Sequence, residues 1–189
     1  MVKKFIPTLI EKSLYDIDFN ALLKDGKRFI LSDLDNTLIP YDLEYANDSL
    51  KSKIKEIQDL GFILIIVSNN RKARVHKFSH DLGLKCFHSA LKPLNSGLGK
   101  ALKYIKRTYL KDKKIKEVKK CTITIGDQLM TDILASNLIN LDSILVRPIK
   151  KKSEKWYTKL NRVYERFVIK RIKKKAYKVY EEIQAKHEY

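Results

Sequence analysis

Six apolar residues in a row, Phe62-Ile63-Leu64-Ile65-Ile66-Val67, stand between Gly61 and the polar triplet Ser68-Asn69-Asn70. A run of that length, bounded by a helix stop and by turn formers, predicts a strand. Having no polar face, it must be covered on both sides, and that demands a parallel sheet with helices above and below. The residues ahead of it supply such a cover. Leu50, Ile54, Ile57 and Leu60 recur at i, i+4, i+7 and i+10, Asn47, Asp48 or Ser49 can cap the first turn, and Gly61 ends the helix.

The same alternation runs through most of the chain. Strands are expected at Arg28 to Leu34, Leu84 to His88, Cys121 to Ile125 and Ser143 to Val146. Between them come a helical turn near Phe19 to Leu23, a helix marked by Val75, Phe78 and Leu82, another marked by Leu98, Leu102, Ile105 and Tyr109, and a short one at Asp132 to Ser136. The predicted fold is α/β, a Rossmann-like three-layer sandwich with a mostly parallel sheet over residues 1–149, followed by a basic amphipathic helical tail over residues 150–189. With 44% apolar residues in a chain of 189, there is material for one packed domain and an appendage, and global disorder is excluded. No apolar run approaches the roughly 20 residues that span a bilayer, and the start lacks a signal-peptide pattern, so a cytoplasmic location is expected. Cys86 and Cys121 lie in strand-like runs and read as buried, reduced and structural. His76 and His80 share a helical face without a third ligand and read as solvated.

Sheets of this kind place their sites beyond the carboxyl ends of the strands. Asp33 and Asp35 follow the first strand, Ser68 to Asn70 the second, Lys92 the third and Gly126-Asp127 the fourth. Together they suit phosphoryl transfer. A carboxylate can attack phosphorus and split the displacement into two easier steps, and a second carboxylate at a turn can serve as acid and then base. A hydroxyl such as Ser68 and a cation such as Lys92 can hold the phosphoryl oxygens. Carboxylates gathered around a dianion call for Mg²⁺, with Asp33, Asp35 (through its own or a neighbouring carbonyl oxygen) and Asp127 as ligands.

The chain resembles the haloacid dehalogenase superfamily, subfamily IIIA, carrying its four motifs in order: Asp33-Leu34-Asp35-Asn36-Thr37, Ser68-Asn69-Asn70, Lys92-Pro93, and Gly126-Asp127-Gln128-Leu129-Met130-Thr131-Asp132. The resemblance spans about residues 28 to 147. It implies a capless core with Asp33 as nucleophile and Asp35 as acid/base. It also implies that Thr37, Ser68, Asn69 and Lys92 bind phosphate, that Asp127 binds the metal and that Asp132 supports the site. The dehalogenases lack an acid two residues after the nucleophile, so Asp35 favours a phosphatase. More narrowly the chain is similar to the YqeG-like family, related to mitochondrial phosphatidylglycerophosphate phosphatases, which implies hydrolysis of phosphatidylglycerophosphate to phosphatidylglycerol. Two alternatives stay open at this point: a soluble phosphomonoester such as a nucleotide or sugar phosphate, and an RNA- or ribosome-binding protein with a vestigial site.

The net charge is +18, and residues 150–189 hold 14 basic against 5 acidic residues. Such a tail suits an anionic partner, either a phospholipid membrane surface or nucleic acid, although only eight of the 40 basic residues are arginine. Trp156, Leu160, Val163 and Phe167 form one apolar stripe, and Ile172, Ala176, Val179 and Ile183 a second, rotated one, so a bend is expected near Val168 to Lys170. Packing on the domain, lying on a membrane and contacting nucleic acid are all consistent with this pattern. Oligomeric state is not legible.

Overall fold

The structure, a computed structural model, describes residues 2–94, 96–149 and 156–187, and of 156–162 the backbone alone. Six strands form one sheet: β1 (Leu9–Glu11), β2 (Phe29–Ser32), β3 (Ile63–Val67), β4 (Lys85–Phe87), β5 (Thr122–Gly126) and β6 (Asp142–Val146). Their order is β1-β6-β5-β2-β3-β4, and every neighbouring pair is parallel. β2 sits between β3 and β5, so the chain reverses its winding there, and Asp33 leaves the sheet at the crevice this creates.

Alternate side chains of the central strands enter opposite layers. On one face, Ile30, Leu64 and Ile66 meet Phe19 and Leu22 of α1 (Phe19–Lys24), Leu50, Ile54 and Ile57 of α2 (Asp48–Asp59), and Val75 and Phe78 of α3 (Lys72–Asp81). On the other, Phe29, Leu31, Ile65 and Val67 meet Leu98, Ala101, Leu102 and Ile105 of α4 (Ser96–Tyr109), Val118 of α5 (Ile115–Lys120) and Ala135 of α6 (Leu134–Leu138). Asn47 is the cap of α2, accepting from the Leu50 amide at 2.9 Å. No helix or strand intervenes between β2 and α2, and only His88 to Leu91 separate β4 from Lys92. Neither position carries a cap domain.

Two elements go beyond the sequence reading. β1, only three residues long, adds an edge strand by pairing with β6, and α5 fills what read as a connection. The cysteines correct that reading, since both are partly exposed. Cys121 is the C-cap of α5, not a strand residue, and its thiol contacts the Val118 carbonyl. His76 and His80 lie exposed on α3, as expected.

The tail forms α7 (Trp156–Lys175) and α8 (Tyr177–Lys186), and the break falls at Ala176 (φ −150°, ψ 63°), later than the expected bend. The second stripe packs on the domain. Ile169, Ile172 and Ile183 close over Ile10, Leu129, Ile133 and Leu145, with Ala176 and Val179 beside them. At the end of α8, Lys186 donates to the Ile10 carbonyl, and the His187 ring meets the Glu11 carbonyl at 3.1 Å. The open rim of β1 is thereby covered, which removes a template for pairing with another chain.

Candidate active site

Asp33 is the first residue past β2, and its amide still donates to the Ile125 carbonyl of β5 at 2.9 Å. That ladder bond fixes where its carboxylate stands. Lys92 Nζ reaches Asp33 Oδ1 at 2.7 Å and Asp132 Oδ1 at 2.5 Å, with all three residues buried. An ammonium held by two carboxylates in a dry setting is fixed far more firmly than a surface pair.

The backbone that delivers Lys92 is held as tightly. Asn69 donates to the Lys92 carbonyl at 3.1 Å and accepts from its amide at 2.7 Å, a paired bridge from the β3 turn to the β4 turn. Ser89 and Leu91 adopt left-handed φ values of 47° and 53°, which costs on the order of 1 kcal/mol each and persists only where surrounding bonds enforce it. Asn69 thus positions Lys92, and its side chain is occupied where the sequence reading had it on phosphate. Ser68 is buried, and its hydroxyl accepts from the Asn70 amide at 3.2 Å.

Asp127 follows the fully buried strand β5, and Thr37 donates to its carboxylate at 3.5 Å. Asp132 accepts from the Gln128 amide at 3.1 Å and from Thr131 at 3.3 Å. It lies so close to β5 that a Cβ on Gly126 would stand 2.3 Å from its carboxyl carbon; only glycine admits it. Carboxylate oxygens of Asp33, Asp127 and Asp132 fall within 4.8 Å of one another. Three buried carboxylates, two of them sharing the Lys92 ammonium, gather negative charge in one place, and their hard oxygen donors suit Mg²⁺.

Asp35 is not part of that cluster. Its carboxylate turns the other way, accepting from Arg74 Nε at 2.7 Å and from Asn70 Nδ2 at 2.9 Å, while the Arg74 guanidinium lies 5.0 Å from the Tyr41 ring centre. In the expected metal set Asp35 contributes through a carbonyl oxygen; its carboxylate is engaged elsewhere, and Asp132 joins Asp33 and Asp127 in the acidic cluster.

Burial raises the Asp33 carboxyl from its ordinary 3.8 to about 7; Lys92 opposes this, and Asp132 and Asp35 add to it. Burial works against the charge on Lys92, but Asp132 and Asp33 outweigh it and raise its pKa. The ammonium stays charged at any physiological pH.

Two residues that serve this region were missed. Arg74 lies on α3 among other basic residues, and nothing in its spacing marks it. Glu165 is fully buried on α7 and accepts from the Leu129 amide at 2.6 Å, clasping the π-helical turn (Leu129–Ile133) that carries Asp132. A buried acid in a basic helix is a signal only once the packed face is known.

The model of the haloacid dehalogenase-like hydrolases matches residues 30–188. The chain belongs to this family. As a haloacid dehalogenase-like hydrolase it is 34% identical over 185 residues to "Probable phosphatase YqeG" of Bacillus subtilis (strain 168), covering 96% of this chain and all of the relative. The match takes in both tail helices, beyond the expected span of about 28 to 147. Among solved structures, a hypothetical protein from Xanthomonas campestris aligns with a TM-score of 0.47 at 16% identity, covering 78% of each chain. An uncharacterized protein from Listeria monocytogenes serotype 4b aligns at 0.44 and 15%, covering 62% of this chain and 77% of the other. The family assignment rests on the model match and the Bacillus relative, not on these.

Proposed function

We propose that this hydrolase removes phosphate from a phosphomonoester through an aspartyl phosphate on Asp33, and that its substrate is phosphatidylglycerophosphate. The observation that carries the chemistry is the buried pairing of Lys92 with Asp33 and Asp132, beside Asp127, at the carboxyl edge of the sheet. An Asp33 oxygen attacks phosphorus, the ester P–O bond breaks, and Asp35 gives a proton to the departing alkoxide. Asp35 then takes a proton from water as that water attacks phosphorus, the P–O bond to Asp33 breaks, and inorganic phosphate leaves. Lys92 sits on Asp33 where the phosphoryl oxygens gather charge, and Ser68 stands in the adjoining turn. Asp33 and Asp127, supported by Asp132, would hold Mg²⁺, which supplies charge neutralisation at the phosphoryl group.

The lipid substrate is supported by the resemblance of the motifs to the YqeG-like family, with its implied relation to phosphatidylglycerophosphate phosphatases, and by the lack of a cap at the two positions described. A site with no cap domain admits a large substrate. Beginning at Thr37, a cleft of about 670 Å³ runs past Ile39, Pro40 and Tyr45 to Arg147 and Ile149, with room for the body of such a molecule. A peripheral place on the cytoplasmic membrane face fits this reading. The test is phosphate release with Mg²⁺ from phosphatidylglycerophosphate in mixed micelles, beside a panel of soluble phosphomonoesters, with Asp33→Asn as control. Selective lipid turnover that Asp33→Asn lacks is expected. Turnover of soluble esters alone would overturn the substrate, and undiminished turnover by Asp33→Asn would overturn the mechanism.

A further inference from the structure

In the second stripe of the tail Ile172 and Ile183 are buried against Ile10, Leu129 and Leu145, whereas Val163 and Phe167 of the first stripe are exposed. On α7, Val163 is 49% exposed, and Tyr164 and Phe167 are each 61% exposed. At about 100° per residue these three share one face with Lys170, Arg171 and Lys174, the six covering roughly 120° of the helix. Glu165, Ile169 and Ile172, all buried, lie on the opposite side. The outward face is thus apolar and aromatic over its first half and cationic over its second. Among the described residues, no exposed carboxylate lies between Val163 and Tyr180. Three large apolar side chains left in water beside a run of cations need an explanation that domain packing does not give.

We propose that this face of α7 docks on an anionic lipid bilayer, with Val163, Tyr164 and Phe167 entering the headgroup boundary and Lys170, Arg171 and Lys174 resting on lipid phosphates. Lysine stems can lie along apolar surface while their heads stay at the polar level, which suits Lys170 and Lys174. Nucleic acid is the poorer fit. Two of the three cations are lysines without the planar fork that reads phosphate in two bonds, and Val163 offers no ring for a base to stack on. The Glu165 clasp on the Leu129 amide fastens the helix to the turn bearing Asp132, so the docking face and the acidic cluster are built on one support. The proposal deepens the lipid-phosphatase reading and rests on it for its purpose, yet the surface is tested without turnover.

The experiment is cosedimentation of the full chain with phosphatidylcholine vesicles, with and without about a third phosphatidylglycerol, at low and physiological salt. Wild type should bind the anionic vesicles, more weakly as salt rises, and leave the neutral ones. Each basic residue near such a surface is worth about fivefold in binding, so Lys170→Gln/Arg171→Gln/Lys174→Gln should bind about 100-fold more weakly. Val163→Ser/Tyr164→Ser/Phe167→Ser should lose at least about tenfold. Both variants change exposed side chains only and should keep the wild-type circular dichroism and the wild-type urea midpoint. The proposal is overturned by equal binding to both vesicles, by no binding, or by wild-type binding of both triple variants. Displacement of the vesicles by single-stranded RNA, through the same side chains and at lower concentration than anionic lipid, would give the face to nucleic acid instead. Vesicle binding with turnover of soluble esters alone would sink the substrate and keep the surface; lipid turnover without vesicle binding would do the reverse.

Discussion

Asp33 and Asp35 are separated by one residue and live in different environments. Asp33 is 8% exposed, bonded to a buried ammonium and crowded by two further carboxylates; the Asp35 carboxylate, with its side chain 17% exposed, sits in a cradle of Arg74 and Asn70. The first setting is over-determined, for the strand bond to Ile125 and the Lys92 ammonium both fix it. The second is held by two side chains that can rotate. A nucleophile benefits from rigid placement, whereas an acid that must approach a leaving group and then a water benefits from a partner that can release it.

The sharpest way to break this contrast is Asp33→Asn, expected to lower turnover by at least about 10⁴-fold while leaving the far-ultraviolet circular dichroism unchanged. Asp35→Asn should cost roughly 10²–10⁴-fold in turnover, with both half-reactions slowed in single-turnover phosphate release. Lys92→Met should lower turnover by about 10²–10³-fold. It should also destabilise the metal-free protein by about 3–5 kcal/mol in urea unfolding, because two buried carboxylates lose their partner. Arg74→Gln loosens the Asp35 cradle, so kcat should fall roughly tenfold, less than for Asp35→Asn itself; a loss as large as that of Asp35→Asn would show that Arg74 does more than position.

The smallest effect concerns pH. In chelator, folded Asp33 keeps its proton up to about pH 7, whereas an unfolded aspartate loses it near 3.8. Between those values the folded state binds more protons, so this group's contribution to stability is full below the lower value and declines as pH rises to the upper one. The thermal midpoint without Mg²⁺ should therefore fall between pH 5 and pH 8 by more in wild type than in Asp33→Asn, and added Mg²⁺ should raise it more at pH 8. An identical slope in both proteins would remove Asp33 as its source.

The sheet was legible because its strands are apolar runs too short for anything else, and the site because each motif follows one of them. What escaped was decided by partners distant in the chain. β1 is three residues whose strand partners, Ile144 to Val146, come far later in the chain. The pairing of Arg74 with Asp35 and of Glu165 with Leu129 joins residues that no periodicity links. The tail offered two stripes of equal promise, and which of them would pack was set by the Ile10, Leu129 and Leu145 surface that receives it.

The bonds from Lys186 and His187 to the β1 carbonyls bear on how this protein can be handled. Cutting the chain before α7 would strip the sheet of its seal as well as the proposed docking face, and the shortened protein would be prone to stick to itself. Sedimentation with vesicles could then rise for the wrong reason. Point substitutions on the outward face of α7 avoid that confusion.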